Sequence, residues 1–296
     1  MSARAVVELD GPPDLTRLYA RAVGESVGAL GRSVTVTAGD LPDVAVIAHA
    51  VRPDADRLAA YQRLVGEPVS DTLPAGFGYV LSFPLSIWLM TRADFPLPPL
   101  GMLHLANRVT QHRPVDLTEP LDLEVHAAEL RSHRRGVAVD LVSRVRVHDD
   151  VVWDGVSTFL AKGARLSGVD EGVVTDPAPF AAPVPTGQWH LGADVGRRYA
   201  AVSGDRNPIH TSRVAARAFG FPRRIAHGMY TAARALADVG PSARGERFTW
   251  AVEFARPVLL PSSVAVRVAR DDDGFELAAW DPRRGKPHVT GSVRPG

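Results

Sequence analysis

Residues 199–236, YAAVSGDRNPIHTSRVAARAFGFPRRIAHGMYTAARAL, hold the densest group of reactive and turn-forming residues in the chain. Asp205, Asn207 and His210 fall within six positions of one another. Pro208 separates the last two, fixes its own φ and biases the residue before it away from the helical conformation. The pattern therefore predicts a shaped loop that presents an acid, an amide and an imidazole together.

A second group of residues begins 17 positions after His210. There His227, Gly228 and Met229 precede a helix-forming run at 230–237. At the start of that helix the backbone N–H of Gly228 would have no intrahelical partner and would lie at the positive end of the helix dipole. An acid and a base beside such an N–H can carry out chemistry next to a carbonyl group.

Together these residues resemble the hydratase 2 motif of the MaoC-like family, the (R)-specific enoyl-CoA hydratases and 3-hydroxyacyl thioester dehydratases. The matching residues are Tyr199, Ser203-Gly204-Asp205, Asn207-Pro208-Ile209-His210, Ala215 and Ala226-His227-Gly228-Met229. Ser212 departs from the family pattern, in which an acidic residue is common at this position. The resemblance implies a hot-dog fold, in which an antiparallel sheet wraps a long helix.

The resemblance also implies a reaction, the reversible addition of water to a trans-2-enoyl thioester to give a (3R)-3-hydroxyacyl thioester. In such a hydro-lyase, Asp205 and His210 would hold the water and move its protons, and the N–H of Gly228 would hold the thioester oxygen. Near pH 7, His210 would be neutral, and partial burial would raise the pKa of Asp205. Which of the two groups handles which proton is left open.

Further residues around the motif are candidates for contact with an acyl-CoA or acyl carrier protein substrate. They are Ser203, Asn207, Arg223, Arg224, His227 and Met229. Arg213 and Arg217 extend the basic group, which suits the phosphates of CoA or the acidic face of a carrier protein, because arginine recognises phosphate well. A solvated basic face is the alternative interpretation.

The chain also repeats itself, which divides it into two halves. Residues 113–125 align without a gap to residues 256–268, sharing Arg-Pro-Val-x-Leu followed by alternating apolar residues. The repeat predicts an α+β double hot-dog, two copies of one fold packed as a pseudo-dimer. The expected domains are an N-terminal hot-dog repeat at 1–165, a linker at 166–187 and a C-terminal repeat at 188–296 that carries the motif.

A weaker match lies upstream, where residues 82–85 fall opposite residues 226–229 at almost the same offset. Pro84 would then occupy the position of Gly228, and proline has no N–H to donate to a thioester oxygen. The first half would therefore lack the oxyanion donor.

In another weak match residues 61–67 resemble residues 199–205, which places Glu67 opposite Asp205 and Thr72 opposite His210. On this alignment the first half also lacks the base. We expect it to be degenerate and non-catalytic and to supply a tunnel for the acyl chain. The candidate lining residues, for which core packing is the alternative, are Trp88, Met90 and Met102.

Composition limits the other possibilities. The 296 residues are 45% hydrophobic and 23% charged, as in globular proteins, and the net charge of +1 gives no general reason to expect nucleic-acid or membrane binding. The absence of Cys excludes disulfides, thiolate catalysis and Cys-ligated metals, and we expect neither a metal nor a cofactor. The longest apolar run, at 79–90, is too short to span a bilayer and no signal peptide is recognisable, so a cytoplasmic protein is expected.

The remaining pattern predicts a helix at 15–29, a strand at 44–51 and a first long helix at 83–91 after a Gly/Pro-rich loop. Alternating apolar and polar residues between 103 and 162 predict antiparallel strands.

Two alternative functions fit the same fold. A hot-dog acyl-thioesterase would hydrolyse the same substrates, but it usually places a carboxylate on the helix, where this chain offers only Asp238, far from Gly228. A non-catalytic acyl-thioester-binding subunit is the other alternative, and the intact pair of Asp205 and His210 argues against it. The sequence leaves open the acyl chain length, the choice between CoA and carrier protein, the direction of the reaction and whether two such chains form a homodimer.

Overall fold

The structure, a computed structural model, describes residues 4–19, 34–99, 101–168 and 179–296. The strands of the first half are β1 (Ala5–Leu9), β2 (Thr35–Val36), β3 (Val44–Val51), β4 (Leu103–Gln111), β5 (Leu121–His133), β6 (Gly136–Val147), β7 (Asp150–Lys162) and β8 (Arg165–Leu166). Those of the second half are β9 (Gly187–Leu191), β10 (Phe248–Phe254), β11 (Ser262–Asp271), β12 (Gly274–Asp281) and β13 (Lys286–Pro295).

The helices are α1 (Ala55–Val65), α2 (Ala75–Met90), α3 (Val195–Ser203), α4 (Pro208–Thr211), α5 (Arg213–Ala218), α6 (Gly228–Val239) and α7 (Pro241–Arg244). Residues 15–19 are also helical, and the rest of the helix predicted at 15–29 lies outside the described residues. No helix within the described ranges has the length and apolarity needed to cross a bilayer.

Eleven strands form one continuous sheet in the order β1-β3-β5-β6-β7-β4-β10-β13-β12-β11-β9, and β2 pairs separately with β8. The order is symmetric about the antiparallel pair β4–β10, so that β7, β6, β5 and β3 correspond to β13, β12, β11 and β9. β1 pairs in parallel with β3 and is an addition at one edge. The antiparallel strands predicted between 103 and 162 are β4 to β7, which confirms that prediction.

Each half of the sheet wraps one long helix. α2 packs against β3, β5, β6 and β7, and α6 packs against β10 to β13. α2 is buried along almost its whole length, and eight of the twelve residues of α6 are buried, which explains why alanine and apolar residues predominate in both helices. This is the α+β double hot-dog expected from the internal repeat, and the predicted fold class is confirmed.

Helix α2 begins eight residues before the start predicted from the sequence. Gly76 and Gly78 suggest a loop, yet both lie inside the helix. The hydroxyl of Tyr61 lies against Gly76, and the indole of Trp153 lies 2.8 Å from the point where a Cβ of Gly78 would be. The two glycines therefore permit close packing of aromatic side chains and do not form a turn.

The structure also corrects the alignment of the two halves. Thr72 forms a β-bridge with Asp116, and Ile225 forms the corresponding bridge with Leu259. Thr72 therefore corresponds to Ile225, and the prediction that it stands opposite His210 is wrong.

Three residues after each bridge a long helix begins, at Ala75 in α2 and at Gly228 in α6. Ala75 thus holds the position of Gly228. The prediction that Pro84 holds it is wrong, because Pro84 lies in the interior of α2. The first half keeps a helix start with a backbone N–H, contrary to the sequence-based expectation.

The match of Glu67 with Asp205 agrees with the structure, since each follows a helix-ending glycine in the left-handed region, Gly66 (φ 86) or Gly204 (φ 78). Four residues separate Glu67 from its β-bridge, whereas nineteen separate Asp205 from the corresponding bridge. Helices α4 and α5 fill the longer segment and have no equivalent in the described residues between Glu67 and Thr72. His210, which lies on α4, therefore has no counterpart.

Candidate active site

A cavity of about 610 Å³ lies between the two halves and brings the motif residues together. The second half contributes Asp205, His210 and the start of α6. The first half contributes an apolar wall from α2 and the beginning of β4, formed by Val80, Phe83, Ile87, Met90, Met102 and Leu103. Met90 and Met102 thus lie where the tunnel was predicted. Trp88 is not part of the lining and instead contacts the guanidinium of Arg92, 5.4 Å from its ring.

The end of α3 places Asp205 in the cavity. The chain leaves the helix at Gly204, and the Ser203 hydroxyl donates to the carbonyl of Tyr199 (2.8 Å) while accepting the N–H of Asp205 (3.1 Å). Arg57 of the first half donates to the last two carbonyls of α3, at 2.6 and 3.2 Å. Both halves therefore fix the backbone that carries the acid.

The carboxylate of Asp205 is held through one oxygen. The hydroxyl of Tyr19 donates to Oδ1 over 2.6 Å, and the N–H of Asn207 donates to the same atom over 3.1 Å. Oδ2 has no hydrogen bond within the described residues, so it is the oxygen available for proton transfer. Sequence reasoning missed Tyr19, which is 186 positions from Asp205 and belongs to no motif.

The segment predicted as a loop contains the short helix α4, which orients His210. The Asn207 side chain caps this helix by accepting the N–H of Ile209 (3.3 Å). His210 Nδ1 lies 2.9 Å from the carbonyl of Ile225. Because a carbonyl can only accept, Nδ1 carries the proton, and Nε2 of the neutral ring has a lone pair. His210 thus presents a basic nitrogen to the cavity.

His227 supports the other two groups. Its Nε2 donates to the backbone carbonyl of Asp205 (3.0 Å), and its ring stacks on that of His210 with centroids 3.6 Å apart. Its Nε2 is 3.7 Å from Oδ2 of Asp205, and its side chain is only 3% exposed. His227 therefore helps to fix both the acid and the imidazole. The motif predicts that His227 contacts substrate, and this residue lies among those that line the cavity.

Asp205 is set up to be ionised. Burial acts to raise its pKa, but the imidazoles of His227 and His210 and the hydrogen bonds from Tyr19 and Asn207 together lower the pKa below its ordinary value. The expectation of a raised pKa is therefore wrong. It considered burial alone and could not include the hydroxyl of Tyr19, which donates to the charged form of the carboxylate.

The imidazoles are set up to be neutral. Burial lowers the pKa of His210, although the carboxylate of Asp205 and the carbonyl of Ile225 act to raise it. Burial and the neighbouring His210 lower the pKa of His227 to about 3. Near pH 7 the cluster of Asp205, His210 and His227 therefore contains a carboxylate and two uncharged imidazoles.

Gly228 is the first residue of α6, and no side chain among the described residues caps the helix start. Its N–H lies at the positive end of the helix and is not needed by the helix itself. A Cβ at this position would lie 3.1 Å from the ring of Phe254, which explains why glycine suits the site. The arrangement gives the cavity a backbone donor near the acid and the imidazole.

A third histidine, His104, lies in the cavity wall. Its ring stacks on Phe159 (4.5 Å between centroids) and approaches Tyr79 and Phe254 at 5.8 and 4.9 Å. Burial lowers its pKa to about 3. His104 therefore behaves as an uncharged aromatic ring near neutral pH.

Of the remaining residues that were candidates for substrate contact, one lines the cavity and two lie outside it. Met229 lines the cavity next to Gly228. Arg223 and Arg224 do not belong to the lining, and a guanidinium nitrogen of Arg223 donates to the carbonyl of Pro261 over 3.2 Å. The basic group predicted beside the motif thus lies outside the cavity.

Asp205, His210 and His227 also form a cluster whose side-chain donor atoms all lie within 4.8 Å of one another. Three such donors are the number that a catalytic metal site often uses. Both rings, however, already bond a backbone carbonyl through one nitrogen. Oδ2 of Asp205 and Nε2 of His210, which have no hydrogen bond in the part of the chain that the structure describes, equally suit an acid–base pair that shares one water.

Residues 190–278 match the profile of the MaoC like domain. The chain is 40% identical over 259 residues to 3-hydroxyacyl-thioester dehydratase X of Mycobacterium tuberculosis, covering 86% of this chain and 90% of that protein.

Two solved structures from Mycobacterium tuberculosis are similar. The crystal structure of HtdX at 2.4 Å resolution has a TM-score of 0.75 and 37% identity, and the match covers 85% of this chain and all of that one. A conserved hypothetical protein with a double hotdog fold has a TM-score of 0.50 and 14% identity, covering 82% of this chain and 92% of that one. The second likeness bears on the fold alone.

Proposed function

The chain belongs to the MaoC-like dehydratase family, and we propose that it removes water from (3R)-3-hydroxyacyl thioesters and adds it back to trans-2-enoyl thioesters. The protein is a hydro-lyase, a 3-hydroxyacyl-thioester dehydratase. Asp205 and His210 are its proposed catalytic side chains. The observation that supports this assignment is that two atoms without a hydrogen bond to any described residue, Oδ2 of Asp205 and Nε2 of His210, lie in one cavity with the first N–H of α6.

In dehydration one member of the pair removes the proton from C2, and the electrons of that C–H bond form the C2–C3 double bond as the C3–O bond breaks. The departing hydroxyl takes the proton and leaves as water, so both groups return to their starting forms. This route suits a site in which Asp205 is ionised and His210 is neutral at the outset. Hydration follows the same positions in reverse.

The N–H of Gly228 assists by donating a hydrogen bond to the thioester oxygen. Negative charge develops on that oxygen when the C2 proton leaves, and the charge forms at the positive end of α6. A fixed donor of this kind typically lowers the barrier by about 3 kcal/mol. Ser203, Asn207, His227 and Tyr19 act as positioning residues, because each bonds the segment that carries the acid or the imidazole.

In this proposal the two repeats have different tasks. The repeat at 188–296 carries the chemistry, and the repeat at 1–165, joined through 166–187, supplies the apolar wall for the acyl chain. Glu67, at the position of Asp205, supports the division because it forms a buried ion pair with Arg244 over 2.8 Å. A carboxylate neutralised in this way is not available as a base.

The thioesterase alternative requires a carboxylate near the start of α6. Asp238 lies near the other end of that helix, where it accepts the indole N–H of Trp189 over 2.9 Å. Because Asp238 is at the far end of the helix, the polar pair beside Gly228 consists of Asp205 and His210. A cytoplasmic location and a homodimer of double hot-dog units stay predictions.

The test is to follow the ultraviolet absorbance of crotonyl-CoA and a longer enoyl-CoA with the purified protein, and to determine the configuration of the product. We expect loss of the enoyl signal with (3R) product. Asp205→Asn and His210→Gln should each slow turnover about 10²- to 10⁴-fold, with unchanged circular dichroism. Release of free thiol without hydration would instead support a thioesterase, and tight binding without turnover would support a binding subunit.

A further inference from the structure

The cavity that contains the proposed catalytic pair is lined by more positively charged than negatively charged side chains. Its lining includes three cations, Arg135, Lys162 and Arg256, but one carboxylate, that of Asp205. The three cationic residues are exposed. Among the residues that the structure describes, none of the three side chains has an ion-pair or hydrogen-bond partner. The internal repeat shows what the corresponding residues do elsewhere in the same molecule.

Arg256 corresponds to Arg113 in the gap-free repeat, and the flanking β-bridges confirm this register. Arg113 is paired with Glu119 through two hydrogen bonds of 2.7 and 3.0 Å. The residue of the second half that corresponds to Glu119 is Ser262. The same arginine is thus neutralised in the first half and left without a carboxylate where it lines the cavity.

Arg135 lies in a hairpin whose counterpart has the opposite charge. The two hairpins end at Gly136 (φ 155), the first residue of β6, and at Gly274 (φ 146), the first residue of β12. Each of these glycines lies against a backbone carbonyl of the next strand. Arg135 precedes the first glycine, and Asp273 precedes the second. The hairpin of the first half, which reaches the cavity, is basic at the position where the other hairpin is acidic.

Lys162 shows the third difference. It corresponds to Arg294, since each follows the residue whose carbonyl lies against the hairpin glycine. Arg294 forms ion pairs with Asp271 (3.2 Å) and with Glu276. The positions equivalent to these two acids are held in the first half by His133 and Ala138. Lys162 therefore has no acid at the two positions that neutralise its counterpart.

From these three differences we propose that Arg135, Lys162 and Arg256 bind the phosphate groups of the arm that carries the acyl thioester. Unpaired cations at a cavity attract anions, and guanidinium and ammonium groups form charge-assisted hydrogen bonds with phosphate. The inference rests on the proposed function, which supplies an acyl thioester as the substrate. Phosphate reaches the site either from CoA or from the phosphopantetheine of a carrier protein.

Three crotonyl thioesters that differ only in phosphate content test the proposal. They are crotonyl-pantetheine, with no phosphate, crotonyl-phosphopantetheine, with one, and crotonyl-CoA, with all three. We expect KM to fall by at least about tenfold when the relevant phosphate is added, at similar kcat. A fall already complete with phosphopantetheine identifies the phosphate shared with carrier proteins, whereas a fall only with CoA identifies the nucleotide phosphates. Equal KM values for all three thioesters would overturn the proposal.

Charge changes at the three residues provide the second test. Arg135→Glu, Lys162→Glu and Arg256→Gln should each raise KM for crotonyl-CoA about tenfold and leave KM for crotonyl-pantetheine unchanged. Arg283→Glu is the control, because Arg283 is exposed and lies outside the cavity lining. An equal rise for both substrates would indicate general damage to the site and would count against phosphate binding.

The repeat suggests a variant that leaves all three cations in place. Ser262→Glu restores the carboxylate that neutralises Arg113 in the first half. It should raise KM for crotonyl-CoA as Arg256→Gln does, and the double variant should be no worse than either single one. Independent, additive effects would contradict the role assigned to Arg256.

Failure of the proposed reaction can be distinguished from failure of the phosphate site. If the protein turns over none of the three thioesters, the dehydratase assignment is wrong. Calorimetric titration with crotonyl-CoA and crotonyl-pantetheine then still compares affinities with and without phosphate. Tighter binding of the CoA ester, lost in Arg256→Gln, supports the phosphate site, and equal affinities refute it.

Discussion

The hydroxyl of Tyr19 lies 2.6 Å from Oδ1 of Asp205, so the proposed catalytic acid depends on a residue 186 positions away in the other half of the chain. The same contact acts in both directions. Burial and the nearby carboxylate raise the pKa of Tyr19 well above its ordinary value, so the hydroxyl stays a donor, and its hydrogen bond helps to lower the pKa of Asp205.

Replacement of Tyr19 by Phe should therefore reduce kcat/KM about ten- to a hundredfold, since a hydrogen bond to a charged group contributes about 1.5–3 kcal/mol. The acid limb of the pH–rate profile should move to higher pH, because the carboxylate loses a donor. Steady-state kinetics across pH measures both effects. Tyr61→Phe makes the same chemical change at a buried tyrosine outside the cavity lining and should leave the profile in place. An unshifted acid limb in Tyr19→Phe would show that the hydroxyl does not act on Asp205.

Two substitutions at Gly228 can distinguish the contribution of its N–H to catalysis from the contribution of its small size. Gly228→Ala adds a Cβ next to Phe254 but keeps the N–H, whereas Gly228→Pro also removes the N–H at the one helix position where proline is well tolerated. We expect kcat of the proline variant to be about 10²- to 10³-fold below that of the alanine variant. Single-turnover rates with crotonyl-CoA measure the difference. Equal rates would mean that this N–H does not bind the thioester oxygen.

The lowered pKa values of Asp205 and His210 predict a broad plateau of activity. The productive pair, carboxylate and neutral imidazole, is complete above the lowered pKa values of both groups, and activity should fall only as pH drops through these values, below 6.5. A pH profile of kcat/KM checks this. A decline that begins above pH 7 on the acid side would contradict the assignment.

The same burial should make the fold sensitive to acid. In the unfolded chain His104 and His227 would bind protons near their ordinary pKa of 6.5, but in the folded protein their pKa values are about 3. Below pH 6.5 the unfolded state therefore binds more protons, and the free energy of unfolding should decrease as pH falls toward 3. Urea denaturation at pH 7.5 and pH 5 measures the change, and His104→Phe should weaken the pH dependence.

Removal of metal ions should not affect turnover. In the proposed mechanism the acid and base groups are the side chains of Asp205 and His210 themselves, although the cluster with His227 has donor atoms close enough for a cation. Dialysis against EDTA, followed by a rate measurement and elemental analysis, provides the check. Loss of activity that a single divalent ion restores would identify the cluster as a metal site.

The fold and the centre of the site follow from local sequence patterns. Asp205, His210 and Gly228 lie in short motifs whose turn and helix-start signals depend on neighbouring residues, and the structure brings these motifs into one cavity. The alternating strands and the gap-free repeat likewise depend on periodicity, which a sequence displays directly.

The errors concern contacts between distant segments. Gly76 and Gly78 indicate a loop unless the side chains of Tyr61 and Trp153 are known to pack against them. A raised pKa is predicted for Asp205 if only its burial is considered, and the contact with Tyr19 that helps to lower the pKa cannot be inferred from the sequence. The predictions that Pro84 corresponds to Gly228 and Thr72 to His210 are wrong for a related reason. The second half has extra residues between Asp205 and Ile225, and the two halves share too few identical residues for the sequence alone to reveal this insertion.

The symmetric strand order about β4–β10 has an evolutionary consequence. In a homodimer of single hot-dog subunits every substitution appears twice, so a residue that improves one cavity also alters the other. Here one covalent chain contains both copies, and each can vary alone. An arginine can stand before Gly136 while an aspartate stands before Gly274, and one copy can lose its base while the other keeps it. A single chain that contains both copies is therefore free of the requirement that its two halves stay alike.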